Sequence, residues 1–334
     1  STTVSMVFEL LGATFALSLF KLAADTTGLS FNDLLNTEKA LSVIIGIFLS
    51  VAIAFFFGRL LQFFTRLWFS FNYNKNLTWK IGIFGGISIT AIIYFLLLKG
   101  AKDLSFMTPE VKLWISENTL LILGGCLVGF SLLMQVLHWL KVNVFKVVVL
   151  SGTFALAMAF AGNDLVNFIG VPLSGFASYQ DYVANGAGNP ESFMMGSLNG
   201  PAKTPIYFLL GAGIVMIVAL ATSKKARKVV NTSVNLSRQN TGDEMFGSSR
   251  IARRLVRLCI NTSHSVTSHT PSGIKRWVGK RMDSNEAIIP DGAAFDLVRG
   301  SVNLVLAGAL IALGTSLKLP LSTTYVTFMV AMGT

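Results

Sequence analysis

The chain has 334 residues, of which 52% are hydrophobic and only 13% are charged. A soluble globular domain carries about 25% charged residues, so this composition excludes an ordinary soluble domain and indicates a membrane protein. Residues 223–290 contain thirteen lysines and arginines but four acids, and so hold +9 of the net charge of +11. The positive-inside rule makes this segment a cytoplasmic loop and argues against a nucleic-acid partner.

Successive apolar runs occupy most of the chain, and most of them reach the roughly 20 residues needed to cross the hydrocarbon layer. We therefore predict an all-α polytopic membrane protein with about eight membrane segments, at residues 3–21, 41–65, 80–99, 118–139, 144–161, 204–222, 292–316 and from 321 to the end. The predicted parts are transmembrane segments at 1–222, the basic loop at 223–290 and transmembrane segments at 291–334. Because both ends of the sequence lie in apolar runs, we expect it to be a piece of a longer polypeptide.

Two stretches predict broken or re-entrant helices. Segment 144–161 is short and runs directly into Gly162-Asn163-Asp164. Residues 171–203 contain three prolines and several glycines with little charge, which favours an ordered or re-entrant loop over a helix. Short, glycine-interrupted segments of this kind are typical of transporter helices that break inside the membrane.

A short polar motif occurs twice, because Ser1-Thr2-Thr3 opens the first span and Ser322-Thr323-Thr324 opens the last. Under strict alternation the two helices have opposite orientations, as in an inverted-topology transporter repeat. We predict that the motifs approach one another near the middle of the membrane. Helix N-termini and neutral hydroxyls can bind a small oxyanion, although plain N-capping is the alternative. The duplication favours an anion site formed by Ser1, Thr2, Thr3, Ser322, Thr323 and Thr324.

The second candidate element is Gly162-Asn163-Asp164-Leu165-Val166-Asn167. Asp164 and Asn167 are three residues apart and therefore share one face of a helix. Carboxylate and carboxamide oxygens suit a sodium ion, and a carboxylate at membrane depth can also take a proton. We predict that Asn163, Asp164 and Asn167 bind a coupling cation, with Asp164 and Asn167 as sodium ligands. A capped helix end at the outer surface is the alternative.

These motifs resemble those of a known family. Residues 162–167 are similar to the Gly-x-Asn-Asp-x-x-Asn signature of the inorganic phosphate transporter (PiT) family, and residues 319–324 resemble its Pro-x-Ser-Thr-Thr element. The resemblance implies an inverted-repeat transporter that moves phosphate with sodium or protons. Proteins of that family consist of two inverted halves, and each half carries one copy of both motifs. The resemblance assigns Ser1–Thr3 to the first half and the other two motifs to the second half. Only the second half's Asn-Asp signature therefore lies in this sequence.

Other polar residues in the apolar segments are weaker candidates. Glu9 lies in the first span, and Asp296, Arg299 and Asn303 share one face of the seventh. Asp296 and Arg299 are spaced to pair with each other. If these residues belonged to the site instead, Arg299 would draw anions inward and Asn303 would ligate the ion.

The predicted function is secondary transport of inorganic phosphate coupled to Na⁺ or H⁺, with no other cofactor. A transporter or channel for another oxyanion, such as sulfate, would use the same neutral helix ends. A non-transporting membrane scaffold with a basic docking loop is an alternative of another class. No nucleophile elbow, P-loop or zinc-ligand spacing occurs, so an enzyme is not expected. The expected partners are phosphate and membrane lipid in the plasma or inner membrane, with a homodimer as a candidate assembly.

Overall fold

The computed structural model of the chain describes residues 2–24, 28, 30–99, 108–186, 188, 193–200, 205–238, 249–250, 253–254, 256–258, 260–261, 268–289, 293–317, 319 and 321–334. Its α-helices are α1 (Thr2–Ala23), α2 (Phe31–Leu34), α3 (Thr37–Phe69), α4 (Lys80–Ile93), α5 (Pro109–Glu117), α6 (Thr119–Trp139), α7 (Val144–Phe160), α8 (Val166–Asn185), α9 (Ile206–Thr222), α10 (Lys224–Leu236), α11 (Ser272–Arg281), α12 (Leu297–Ser316) and α13 (Thr323–Gly333). Turns of π-helix follow α4 at Tyr94–Lys99 and join α7 to α8 at Ala161–Leu165.

Among the described residues, five helices are long and apolar enough to cross a membrane: α1, α3, α6, the continuous helix of α7 and α8, and α12. A sixth span arises if α9 and α10, which are bent by 70° relative to each other, count as one. The prediction of an all-helical, multi-span membrane protein is therefore confirmed, but about eight spans is more than the described residues contain. The apolar helix beginning at Lys80 has fewer than 18 residues and α13 has 11, so these two apolar runs are too short to count.

The helix is not broken at Gly162 or at Pro172, where the sequence predicted breaks. α7 does not end at Gly162, because the π-helical turn carries the chain into α8 without interruption. α8 then continues through Pro172 to Asn185, where the sequence favoured a loop. Membrane helices tolerate proline because neighbouring helices and side chains satisfy the backbone groups that it frees. The sharp bend between described helices is instead the one between α9 and α10.

The contact between α3 and α13 is close because glycines face each other there. A Cβ atom on Gly58 would lie 2.8 Å from the carbonyl oxygen of Val330, and one on Gly333 would also meet the α3 backbone. Near the start of α13, the side chain of Leu319 lies 3.9 Å from the position of a Cβ on Gly46. Gly46 precedes Gly58 along α3, and their respective neighbours Leu319 and Val330 follow in the same order, so α13 runs parallel to α3.

The C-terminal end of α3 marks one side of the protein, called here the basic side. Phe69 packs edge to face against Phe145 of α7, with ring centroids 5.4 Å apart, and Arg281 of α11 donates to the backbone carbonyls of Leu67 and Trp68. A helix from the basic segment therefore lies beside the end of α3.

In the turn after α3, burial and the negative charge of Asp296 raise the pKa of the Tyr73 hydroxyl.

Candidate functional site

The carboxylate of Asp164 joins three parts of the chain that are distant in sequence. The Thr3 hydroxyl donates to Oδ1 at 2.9 Å, and the Thr323 hydroxyl lies 3.2 Å from Oδ1 and 3.1 Å from Oδ2. Both threonines are buried, with 2% of their surface exposed. The predicted approach of the two Ser-Thr-Thr motifs is therefore confirmed for Thr3 and Thr323, whereas their role in binding phosphate stays a prediction.

Local structure explains how Asp164 reaches both threonines. It lies in the π-helical turn Ala161–Leu165, and single π turns inside α-helices frequently mark functional sites. In the same turn the buried Asn163 donates to the hydroxyl of Thr315 on α12 at 3.0 Å, and Asn167 donates to the carboxamide oxygen of Asn163 at 3.2 Å. The two asparagines therefore link the turn to α12. Thr315 was missed in the sequence, where it carries no motif.

The remaining residues of the two motifs have different positions. Ser322 is the N-cap of α13, and its hydroxyl accepts from the backbone N–H of Tyr325 at 3.1 Å. The capping alternative therefore describes Ser322, whereas the next hydroxyl, that of Thr323, turns to Asp164. Thr324 is half-buried and lines a separate cavity under α10. Ser1 and the side chain of Thr2 lie outside the described residues.

Both helix starts at Asp164 direct the positive end of a helix dipole toward the same carboxylate. α1 begins there and leads toward the end of the molecule where α3 begins, since Phe15 packs against Phe31 with ring centroids 5.7 Å apart. α13 also begins there but runs parallel to α3, toward the basic side. Two helices therefore leave one point in opposite directions, which gives this point two sets of N-terminal N–H groups.

The depth of the site follows from α3. No charged residue lies between Lys39 and Arg59, an interval of about 30 Å along a helix, which equals the thickness of the hydrocarbon layer. Gly333 packs beside Arg59, because a Cβ on Gly333 would lie 3.0 Å from the backbone nitrogen of Arg59. Thr323, at the start of α13, lies about 15 Å from Gly333 along the helix axis. If Lys39 and Arg59 mark the two boundaries of the layer, Thr323 and Asp164 would lie close to its centre.

The weaker candidates are not brought to Asp164. Glu9 is exposed on α1. Asp296, Arg299 and Asn303 lie at the opposite end of α12 from Thr315, and the distance along the helix from Arg299 to Thr315 is about 24 Å. These three residues belong instead to a second polar cluster toward the basic side.

The ion pair in this second cluster differs from the expected one. Asp296 is fully buried and pairs with Arg66 of α3, while its other oxygen accepts from the backbone N–H of Arg299 at 2.8 Å as the N-cap of α12. The Arg299 guanidinium donates to the carbonyl of Ala331 at 3.1 Å, and Asn303 donates to Ser237 at 3.1 Å. An N-cap carboxylate faces its own helix start, so the sequence spacing of Asp296 and Arg299 reflects capping.

The second predicted span ended at residue 65, so Arg66 fell just outside it. α3 continues to Phe69, so Arg66 lies inside the helix and is 2% exposed. The sequence does contain a signal for this buried arginine, because Arg66 directly follows an apolar run. An ionisable residue in or beside a membrane span is expected to have a functional role or a charged partner.

Around Asp164 the oxygen ligands available to a cation are one carboxylate, two hydroxyls and the neighbouring carboxamides. Within the described ranges, no three His, Cys, Asp or Glu side chains come together. Comparison with family models, with curated proteins and with solved structures finds no match to this chain. The resemblance to the phosphate transporter family therefore depends on residues 162–170 and 319–324 alone. The long apolar helices make the chain a multi-span membrane protein, with a partly buried polar centre at Asp164.

Proposed function

We propose that this chain is a secondary transporter that moves inorganic phosphate together with Na⁺ or H⁺. Asp164 binds the cation, and the N-termini of α1 and α13 bind the anion. The observation that carries this proposal is the sharing of one carboxylate by Thr3 and Thr323, at two helix starts that diverge toward opposite sides.

The hydrogen bonds suggest how the two substrates depend on each other. Without a cation, the hydroxyls of Thr3 and Thr323 donate to the negative carboxylate, so their protons are not offered to an anion. A cation at Asp164 neutralises that charge and accepts the hydroxyl oxygens as ligands. The hydroxyl protons and the helix N–H groups can then turn to phosphate. Phosphate is repelled by Asp164 until the cation is bound.

The membrane potential supplies the reason for such coupling. Phosphate carries one or two negative charges, and each net charge crossing 100 mV costs about 2.3 kcal/mol. A site without lysine or arginine moves the anion against an inside-negative potential only when cations travel with it. In this proposal the compensating cation binds beside the anion, and the location of Asp164 between the two helix starts supports this arrangement.

The alternative substrate is another tetrahedral oxyanion such as sulfate, because helix N–H groups and hydroxyls bind both. The inverted repeat is part of the same proposal, and it is supported by the opposite directions of α1 and α13. The scaffold alternative leaves the buried Asp164 cluster without a role, since a docking loop needs no carboxylate at the centre of the membrane.

The test is uptake of radiolabelled phosphate into proteoliposomes, with and without a sodium or proton gradient. Asp164→Asn keeps the size of the side chain and one oxygen ligand but removes the charge, so we expect it to abolish gradient-driven accumulation. Glu117→Gln, an exposed carboxylate at the end of α5, is the matched control and should accumulate phosphate normally. Accumulation by Asp164→Asn would contradict the cation site, and uptake of sulfate in place of phosphate would change the substrate.

A further inference from the structure

A cavity of about 610 Å³ lies beside α3 near its C-terminal end, away from Asp164. Arg59 and Arg66 are seven residues apart on α3 and therefore share one face, and Arg299 of α12 lines the same space. The apolar part of the lining includes Phe56, Phe63 and Phe64, which are all exposed. The cavity therefore combines three guanidinium groups with an apolar wall that is open along α3.

The charges in this cavity are only partly compensated. Asp296 pairs with Arg66, but the Nη1 atom of Arg66 is buried without a hydrogen-bond partner. Among the described residues, Arg299 donates only to neutral oxygens, which are the carbonyls of Ala331 and Arg238 and the hydroxyl of Thr334. Arg59 is exposed. Three cations against one carboxylate leave a positive cavity that favours an anionic ligand.

The depth of the cavity points to the lipid headgroups. Lys39 and Arg59 delimit an uncharged stretch of α3 that matches the hydrocarbon thickness of about 30 Å. Arg59 therefore lies at the boundary, and Arg66 lies about 10 Å beyond it, among the headgroups. Phe56 lies within the hydrocarbon region, where an acyl chain can pack against it.

The side of the membrane is given by the basic segment. Met282 and Ser284, directly after α11, line the cavity, and Arg281 is bonded to the end of α3. A segment with +9 net charge belongs on the cytoplasmic side. The cytoplasmic leaflet contains the anionic lipids, and basic cavities between membrane helices on that side are suited to their headgroups.

We propose that this cavity binds the phosphate group of an anionic lipid of the cytoplasmic leaflet, with Arg59 and Arg299 as its contacts and Phe56 against its acyl chains. Free phosphate shares the same anionic chemistry, but a small hydrated anion gains nothing from the apolar wall. The site is separate from Asp164 and does not depend on the proposed transport activity.

The experiment is native mass spectrometry of the purified protein with phosphatidylglycerol or phosphatidylcholine added in equal amounts. We expect preferential retention of phosphatidylglycerol, and Arg59→Gln should weaken it about fivefold, since a basic residue near the headgroups contributes roughly 1 kcal/mol. Arg276→Gln removes the same charge from the exposed face of α11 and should leave retention unchanged.

Three results would overturn the proposal. Equal retention of the two lipids would show that the cavity does not select anions. An equal loss in Arg59→Gln and Arg276→Gln would reduce the effect to net charge. Displacement of phosphatidylglycerol by inorganic phosphate would identify the cavity as a site for the free anion.

Discussion

At the scale of single residues, two carboxylates in this chain have opposite roles. Asp164 accepts from the neutral hydroxyls of Thr3 and Thr323, whereas Asp296 neutralises the buried Arg66. The sequence indicated the first grouping, because Thr3 and Thr323 belong to a repeated motif. It could not indicate the second, since Arg66 and Asp296 are 230 positions apart and meet only through the packing of α3 against α12.

The hydroxyl of Thr323 offers the most direct test of the anion site. Thr323→Val keeps the shape of the side chain but removes the hydrogen bond, so the KM for phosphate should rise roughly tenfold to a hundredfold, as expected for a bond to a charged group worth about 1.5–3 kcal/mol. Thr327→Val is the control, because the Thr327 hydroxyl is bonded to the carbonyl of Thr323 within α13. Equal KM values in the two variants would show that the Thr323 hydroxyl does not contribute to anion binding.

The ion pair between Arg66 and Asp296 is expected to be a structural requirement. Asp296→Asn keeps an acceptor for the N–H of Arg299 but leaves Arg66 buried without its counter-charge, which should cost about 3–5 kcal/mol of stability. Thermal unfolding in detergent measures this loss. The double variant Arg66→Met with Asp296→Asn removes both charges and should recover much of the stability. A double variant less stable than Asp296→Asn alone would show that the pair does not act as a unit.

At the scale of helices, hydrophobicity predicted most of the long elements and failed where it had to locate their ends. The apolar runs of α1, α3, α6 and α12 were recognised, yet α3 extends four residues past the predicted end at 65, to Phe69. α8 was mistaken for a loop because Pro172 and its glycines suggest a break. Helix continuity there is decided by packing and by the absence of water to bind a freed backbone group, which a local pattern does not contain.

The glycine contact between α3 and α13 is expected to hold Thr323 in position. In Gly58→Ala the added methyl group would lie 2.8 Å from the carbonyl oxygen of Val330, so α13 must shift, and overpacking of this kind costs about 1–3 kcal/mol. We expect a lower thermal midpoint and weaker phosphate uptake. Gly124→Ala is the control, because nothing lies within 4 Å of the added atom. Identical midpoints for the two variants would contradict a tight contact.

At the scale of the whole molecule, the positions of α1 and α13 agree with the arrangement predicted from the repeated motif. Both helices begin at Asp164, and they leave it in opposite directions relative to α3. The composition and the motif order indicated a membrane protein with related ends. The number of spans could not be read in the same way, because the apolar runs at 80–99 and from 321 form helices too short to count, and because α9 counts as a span only together with the bent α10.

The orientation of the whole molecule gives the last prediction. Because the basic segment carries +9 of the net charge, its exposed residue Ser249 should face the cytoplasm, whereas the exposed Ser116 at the end of α5 should face the outside. Each position is replaced by cysteine in a protein whose Cys126 and Cys259 have been changed to serine. A membrane-impermeant maleimide applied to intact cells should label Ser116→Cys alone, and permeabilised cells should show labelling at both positions. Labelling of Ser249→Cys in intact cells would reverse the orientation, and with it the assignment of the arginine cavity to the cytoplasmic leaflet.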